Sequence, residues 1–216
     1  MSEMLTVPPA WQRAPATLAL LGLSILGFLL VYLPFPFSWV SYLTFTPFEI
    51  RGEMIRFGEM GGQYWRLLTP AFLHFGWLHI VFNGLWLWEL GHRVELLLGS
   101  RMLLALFLLV ALLSNGAQYL FSGPAIFGGM SGVVYGLLGF SWVAGRLRPA
   151  WALEPPRPIM LLMVGWLVVC LLGIVETLGF GAIANAAHLG GLLAGALLGL
   201  AVAWLAGAGR RGRSRL

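Results

Sequence analysis

The sequence predicts an all-α protein: a polytopic membrane bundle of six transmembrane helices with a partly membrane-embedded first outer loop. Three observations predict it. Of the 216 residues, 59% are hydrophobic and only 10% charged, with a mean hydropathy of +0.87. A soluble domain carries roughly 25% charged residues, so this chain cannot coat a globule and takes the bilayer as its solvent. Apolar stretches of about 20 residues, the length that crosses a bilayer, recur along the chain. The basic residues gather at the ends of those stretches.

Residues 1–15 form a short polar lead. Span 1 covers 16–33. Its apolar stretch is longer than the core of a signal peptide, roughly 7–15 residues. Pro34, Pro36 and aromatic residues follow it instead of a small-residue cleavage site, so it reads as a retained helix. Residues 35–77 are rich in Phe, Trp, Gly and Glu, too polar to span and too apolar to be disordered. Short interfacial helices with aromatic anchors are expected there. Span 2 covers 78–98, span 3 101–120, span 4 131–145, span 5 158–177 and span 6 184–205. The membrane domain is 16–206, and a basic tail, 207–216, closes the sequence. No internal repeat or low-complexity segment is present.

Arginine sets the orientation. Lysine is absent, and all thirteen basic residues are arginines. With both termini cytoplasmic, the inside holds Arg13, Arg93, Arg101, Arg146, Arg148, Arg157, Arg210, Arg211, Arg213 and Arg215. The outside holds only Arg51, Arg56 and Arg66. That distribution obeys the positive-inside rule. The net charge of +5 therefore reads as attachment to an anionic membrane face, not as a nucleic-acid surface. Arginine without lysine also hints at a GC-rich bacterial genome, so the expected location is a bacterial inner (plasma) membrane. The single cysteine, Cys170, lies in an apolar run and reads as a small hydrophobe. No metal or other cofactor is expected.

The chemistry gathers at the outer ends of three spans. Gly128-Gly129-Met130-Ser131-Gly132 puts a glycine-flanked serine at the start of span 4. A helix N-terminus aims unpaired N–H groups and partial positive charge at its surroundings, which suits an oxyanion. His188 lies about a turn into span 6, and His79 and Asn83 lie in the first turns of span 2. All share one depth, and ionisable residues inside a membrane are functional candidates by default. Ser131 is the candidate nucleophile and His188 the candidate base. Gly191, Gly195 and Gly199 continue the His188 face, and Gly132 and Gly136 flank the serine helix. Such small-residue faces bring helices close in lipid. The plainer reading is that these glycines only pack and that His188 is a satisfied polar residue. His79 and Asn83, spaced i, i+4, either surround a developing oxyanion together with the Ser131 N–H or simply bond span 2 to its neighbours. Tyr135, one turn below Ser131, either supports His188 or is a core aromatic. Ser114 and Gln118 either hold a water for hydrolysis or join helices. With no aspartate in the chain, a Ser-His-Asp triad is impossible.

These residues in this order resemble the rhomboid intramembrane serine proteases, over nearly the whole chain. The family's Trp-Arg pair is matched by Trp65-Arg66, its His-x-x-x-Asn by His79 to Asn83, and its Glu-x-x-x-Gly-Ser by Glu95 to Ser100. Its Gly-x-Ser-Gly is matched by Gly129 to Gly132, and its Ala-Asn-x-x-His by Ala184 to His188. Each motif alone is weak; their shared order and spacing are specific. With about fifteen residues before span 1, the likeness is to the basic six-helix bacterial form. The resemblance implies a Ser131–His188 dyad that cleaves single-span or polytopic membrane proteins near the outer face, without a cofactor. It implies oxyanion stabilisation by His79 and Asn83. Gly129 and Tyr135 are expected to support the site. The resemblance also implies structural roles for Arg66 beside Trp65, organising the outer loop, and for Glu95, tying the inner end of span 2.

Other classes remain to be weighed. A catalytically silent membrane chaperone on the same fold would typically lack the serine or the histidine. A metalloprotease using His74, His79 and His188 lacks His-Glu-x-x-His. A small-solute transporter would be expected to show repeats or paired broken helices. The glycine-rich segment 179–181 is expected to act as a mobile cap. Glu89, near mid-span, either pairs with Arg93 one turn on or is protonated.

Overall fold

A computed structural model describes residues 9–179 and 181–213, with side chains as far as residue 207. The first half of the expected lead, Phe180 and the arginine side chains of the basic tail lie outside the described residues. The chain opens with the short α1 (Ala10–Arg13) and the long α2 (Pro15–Tyr32). Pro15 occupies the first turn of α2, where its missing N–H costs nothing. The next N–H groups, of Ala16 and Thr17, donate to the two carboxylate oxygens of Glu95, each at 2.8 Å. The Thr17 hydroxyl (2.7 Å) and the Ser100 hydroxyl (2.6 Å) donate to the same carboxylate. Glu95, 3% exposed, thus caps one helix from another.

The connection after α2 differs from the expected interfacial helices. It holds one helix, α3 (Phe37–Leu43), then an antiparallel hairpin of β1 (Phe48–Arg51) and β2 (Met54–Phe57). Phe48 pairs with Phe57 and Arg51 with Met54 across a two-residue connection. Gly52 in that connection lies in the left-handed region at φ +63°, the conformation that tight hairpins demand. Short 3₁₀ turns at Tyr64–Leu67 and Thr69–Phe72 complete it. Arg66, buried, gathers this loop. Its guanidinium donates to the carbonyls of Ser41 and Thr44 (2.8 Å to the latter) and to Gln63 Oε1 at 2.7 Å. The Trp65 indole N–H donates to the Tyr42 carbonyl at 3.0 Å.

Expected span 2 is three pieces: α4 (Trp77–Trp86), a π-helical turn (Leu87–Gly91) and α5 (His92–Leu98). The π turn carries Glu89, whose carboxylate pairs with Arg93. α6 (Ser100–Ser122) and α7 (Ser131–Leu147) extend the expected spans 3 and 4 by a turn or less. Expected span 5 is broken. α8 (Arg157–Leu171) ends at Leu171; Gly173, left-handed at φ +71°, separates it from the short α9 (Ile174–Thr177). An unbroken helix cannot pass through that conformation. α10 (Asn185–Arg213) runs beyond the expected end of span 6.

Among the described residues, three helices are long and apolar enough to cross a bilayer: Pro15–Tyr32, Ser100–Ser122 and Asn185–Gly207. Large apolar side chains such as Leu26, Leu161 and Leu197 are exposed on the outer helices, as suits contact with lipid. α7 is the hub, buried continuously from Gly132 to Ser141. It packs on α10 backbone to backbone. A Cβ on Gly191 would collide with the Gly132 carbonyl, and one on Gly195 with the Gly136 carbonyl. Gly195→Ala should therefore destabilise the fold by about 1–3 kcal/mol through overpacking. Gly165→Ala, on α8 with open space around it, should leave stability unchanged or raised. Thermal unfolding of both variants in detergent checks the contrast.

Candidate active site

Three helices begin at one end of the bundle and set the depth of the site. Ser131 is the first residue of α7, His79 is in the first turn of α4, and His188 is in the first turn of α10. The α7–α10 glycine contacts hold a constant register, Gly132 on Gly191 and Gly136 on Gly195, so the two helices run parallel with their starts side by side. His188 Nε2 lies 2.8 Å from Ser131 Oγ. His188 is 6% exposed. With the ring hydrogen on Nδ1, its Nε2 can accept the serine hydroxyl proton. The Tyr135 ring lies against the imidazole with centroids 4.9 Å apart. The Tyr135 hydroxyl donates to the Met163 carbonyl on α8 at 3.0 Å. Tyr135 is thus a buried core aromatic packed on His188.

The loop before Ser131 is shaped by backbone contacts. The Gly129 N–H donates to the Pro70 carbonyl at 2.9 Å. Gly129 is left-handed at φ +109°, and a Cβ there would strike the imidazole of His79. Only glycine lets that ring approach. His79 is half-buried, and Asn83, 5% exposed, donates one amide hydrogen to the His79 carbonyl at 2.9 Å. That bond stays within α4 and leaves the second amide hydrogen of Asn83 uncommitted to it.

From sequence, His74 has a place only as a metal ligand, and its structural part is not legible there. Its side chain is fully buried. Nδ1–H donates to the Phe72 carbonyl at 3.0 Å, and Nε2 accepts the Met130 N–H at 3.3 Å. Its ring meets His79 edge-on at 5.0 Å. With both ring nitrogens engaged, His74 is unsuited to hold a metal beside His79 and His188. The only sequence signal was an ionisable side chain just ahead of an apolar helix. Gln118 takes the helix-joining role: its Oε1 accepts the Ala187 N–H at 3.0 Å, and its Nε2 donates to Ser122 at 2.9 Å. Ser114 donates to the Ala111 carbonyl and faces Gly132. Trp65 and Arg66 bond to carbonyls of the first loop, and Glu95, midway along α5, accepts the first N–H groups of α2. None of these last three touches Ser131 or His188 by hydrogen bond.

The rhomboid domain family model matches residues 61–205. This chain belongs to the rhomboid family. It is 40% identical over 187 residues to the rhomboid protease GlpG of Pectobacterium atrosepticum, covering 87% of this chain and 62% of that protein. It is 39% identical over 187 residues to the rhomboid protease GlpG of Yersinia pseudotuberculosis, with the same coverage of 87% and 62%. It is 49% identical over 136 residues to that of Serratia proteamaculans, 63% of this chain and 47% of the relative. The chain thus spans less than two thirds of the length of these curated relatives.

His74→Ala strands the buried Met130 N–H, a loss of about 1–3 kcal/mol, and should lower the unfolding temperature. Gly129→Ala should do the same by forcing a side chain into the left-handed region and into His79. Each is checked by thermal denaturation beside the parent protein.

Proposed function

We propose that this chain is an intramembrane serine endopeptidase, with Ser131 as nucleophile and His188 as general base. The observation that carries the reading is the 2.8 Å approach of His188 Nε2 to Ser131 Oγ, within the reach of a nucleophile and its base. Family membership and the rhomboid protease relatives support it.

The mechanism follows from the geometry. A substrate helix unwinds locally, because a helical carbonyl is already bonded. Ser131 Oγ attacks the scissile carbonyl carbon while His188 Nε2 takes the hydroxyl proton. The negative oxygen that forms is stabilised by the Ser131 N–H, the imidazole of His79 and the free amide hydrogen of Asn83. The tetrahedral species collapses, His188 gives its proton to the departing amine, and an acyl-enzyme remains. Water then attacks the ester with His188 again as base, releasing the acid and restoring Ser131.

The proposal extends to topology. Six crossings lie within the membrane domain 16–206, between the lead 1–15 and the tail 207–216, with both termini cytoplasmic and the dyad opening outward. The exposed aromatics Trp39 and Tyr42 of the first loop support its partial embedding. Substrates are single-span or polytopic membrane proteins, and the location is the inner (plasma) membrane of a bacterium. The segment 179–181 is proposed as a mobile cap. Gly179 and Gly181 flank Phe180, which lies outside the described residues, and are left-handed at φ +84° and +86°. A silent chaperone has no use for a serine and a histidine held at bonding distance, which weighs against that reading.

Cleavage of a generic single-span substrate in detergent tests the proposal. Ser131→Ala and His188→Ala should each lower kcat at least about 10³-fold with folding retained. His79→Ala should cost about 10²–10³-fold. Fluorophosphonate should label the parent protein and not Ser131→Ala, and a chelator should leave activity intact. Undiminished cleavage by either dyad variant overturns the assignment.

A further inference from the structure

We infer that Asn185 is a positioning residue for His188, its side-chain oxygen receiving the Nδ1–H of the imidazole as His188 takes the serine proton. The inference rests on the dyad reading above and deepens it. Two buried polar atoms point to it. His188 Nδ1 and Asn185 Oδ1 each have no hydrogen-bond partner among the described residues. Their chemistry is complementary. An imidazole that accepts at Nε2 carries its hydrogen at Nδ1, so one orphan is a donor and the other an acceptor.

Their placement on α10 is complementary too. Asn185 opens the helix and His188 follows three residues later, a spacing that shares one face. Helical side chains lean toward the N-terminus, so the ring of His188 lies over the turn that Asn185 begins. The orientation of the amide is set by its other end. Asn185 Nδ2 donates to the Cys170 carbonyl at 3.1 Å, which commits the nitrogen to α8 and leaves the oxygen as the free acceptor. Among the described residues no carboxylate is hydrogen-bonded to His188 Nδ1. Aspartate is absent from the chain, and Glu176 accepts the backbone N–H of Ile183 at 2.9 Å.

The pairing matters most in the transition state. When the Ser131 proton moves to Nε2, the ring becomes cationic and Nδ1–H becomes a charge-assisted donor. A small turn of the imidazole, or one internal water, then joins it to Asn185. Asn185 acts through His188 and does not touch the reacting carbonyl.

The test separates the two ends of the amide. Asn185→Asp keeps the acceptor oxygen but loses the donor to Cys170. Asn185→Ala loses both. With the full chain and the single-span substrate, Asn185→Ala should lower kcat about 10- to 100-fold with KM within about twofold. Asn185→Asp should stay within about threefold of the parent in kcat. An equal loss in both variants overturns the inference, because the amide hydrogen on Cys170 would then be what matters. An unchanged kcat in Asn185→Ala overturns it as well. Should Asn185→Ala not fold, proton NMR of the parent protein phosphonylated at Ser131 gives the answer. A downfield imidazole N–H resonance is expected, and its absence overturns the inference. Ser131→Ala and His188→Ala run alongside. Activity in those would sink the dyad reading itself, whereas their inactivity beside an active Asn185→Ala sinks only this one.

Discussion

The contact between α7 and α10 fixes the geometry on which everything else depends. In lipid, two helices gain no hydrophobic advantage from meeting, since the tails around them are as apolar as leucine; close packing and polar contacts must hold them. Here glycine on both faces removes the side chains that would keep the axes apart. Gly191 sits on the Gly132 carbonyl and Gly195 on the Gly136 carbonyl, one helical turn further along each partner. The separation of the two helices is therefore set by backbone, and no rotamer change can relax it. Ser131 and His188, one residue and three residues before the first of these contacts on their own helices, inherit a meeting distance from it.

The remaining helices are fastened by a few buried polar groups, each at a helix end where unpaired backbone must be satisfied. Glu95 closes the start of α2, and Arg66 collects the carbonyls left open after α3. His74 takes the Met130 N–H immediately before α7. These ties lie at opposite ends of the bundle, and each joins segments distant in sequence: Thr17 to Glu95, Ser41 to Arg66, His74 to Met130. An unpaired polar group in an apolar surround is costly, so each tie specifies where its helix end sits as much as it strengthens it.

Much of this was legible in the sequence because apolar length and glycine spacing are local signals. The starts of α2, α7 and α10 fall within a residue or two of the hydropathy-based expectation, and the register of Gly132, Gly136, Gly191 and Gly195 was visible as small residues at helical spacing. The hairpin at Phe48–Phe57 was missed. Its alternating residues sit in a loop whose aromatic content masks the strand pattern, although Gly52 between two apolar-rich strands was a usable sign. The break at Gly173 was missed because its apolar neighbours continue the hydropathy of α8, and hydropathy does not report backbone handedness. His74 was misjudged because its partner is a backbone N–H at Met130, and a contact with backbone leaves no mark on the partner's identity.

The absence of aspartate shapes how the imidazole is held. In a triad an acid fixes the tautomer and orientation of the histidine. Here a flat aromatic face is available instead: Tyr135 lies against His188, and its hydroxyl is bound to Met163 on a third helix. A ring clamped by packing loses little freedom when it reacts, because the freedom was already lost in folding. Such a clamp limits rotation but supplies no charge. A buried carboxylate beside the ring would itself need stabilising in an apolar surround, whereas a tyrosine ring brings no such charge into the membrane. A low-dielectric setting thus favours orientation by shape and by neutral dipoles, and it strengthens each dipole that is correctly aimed.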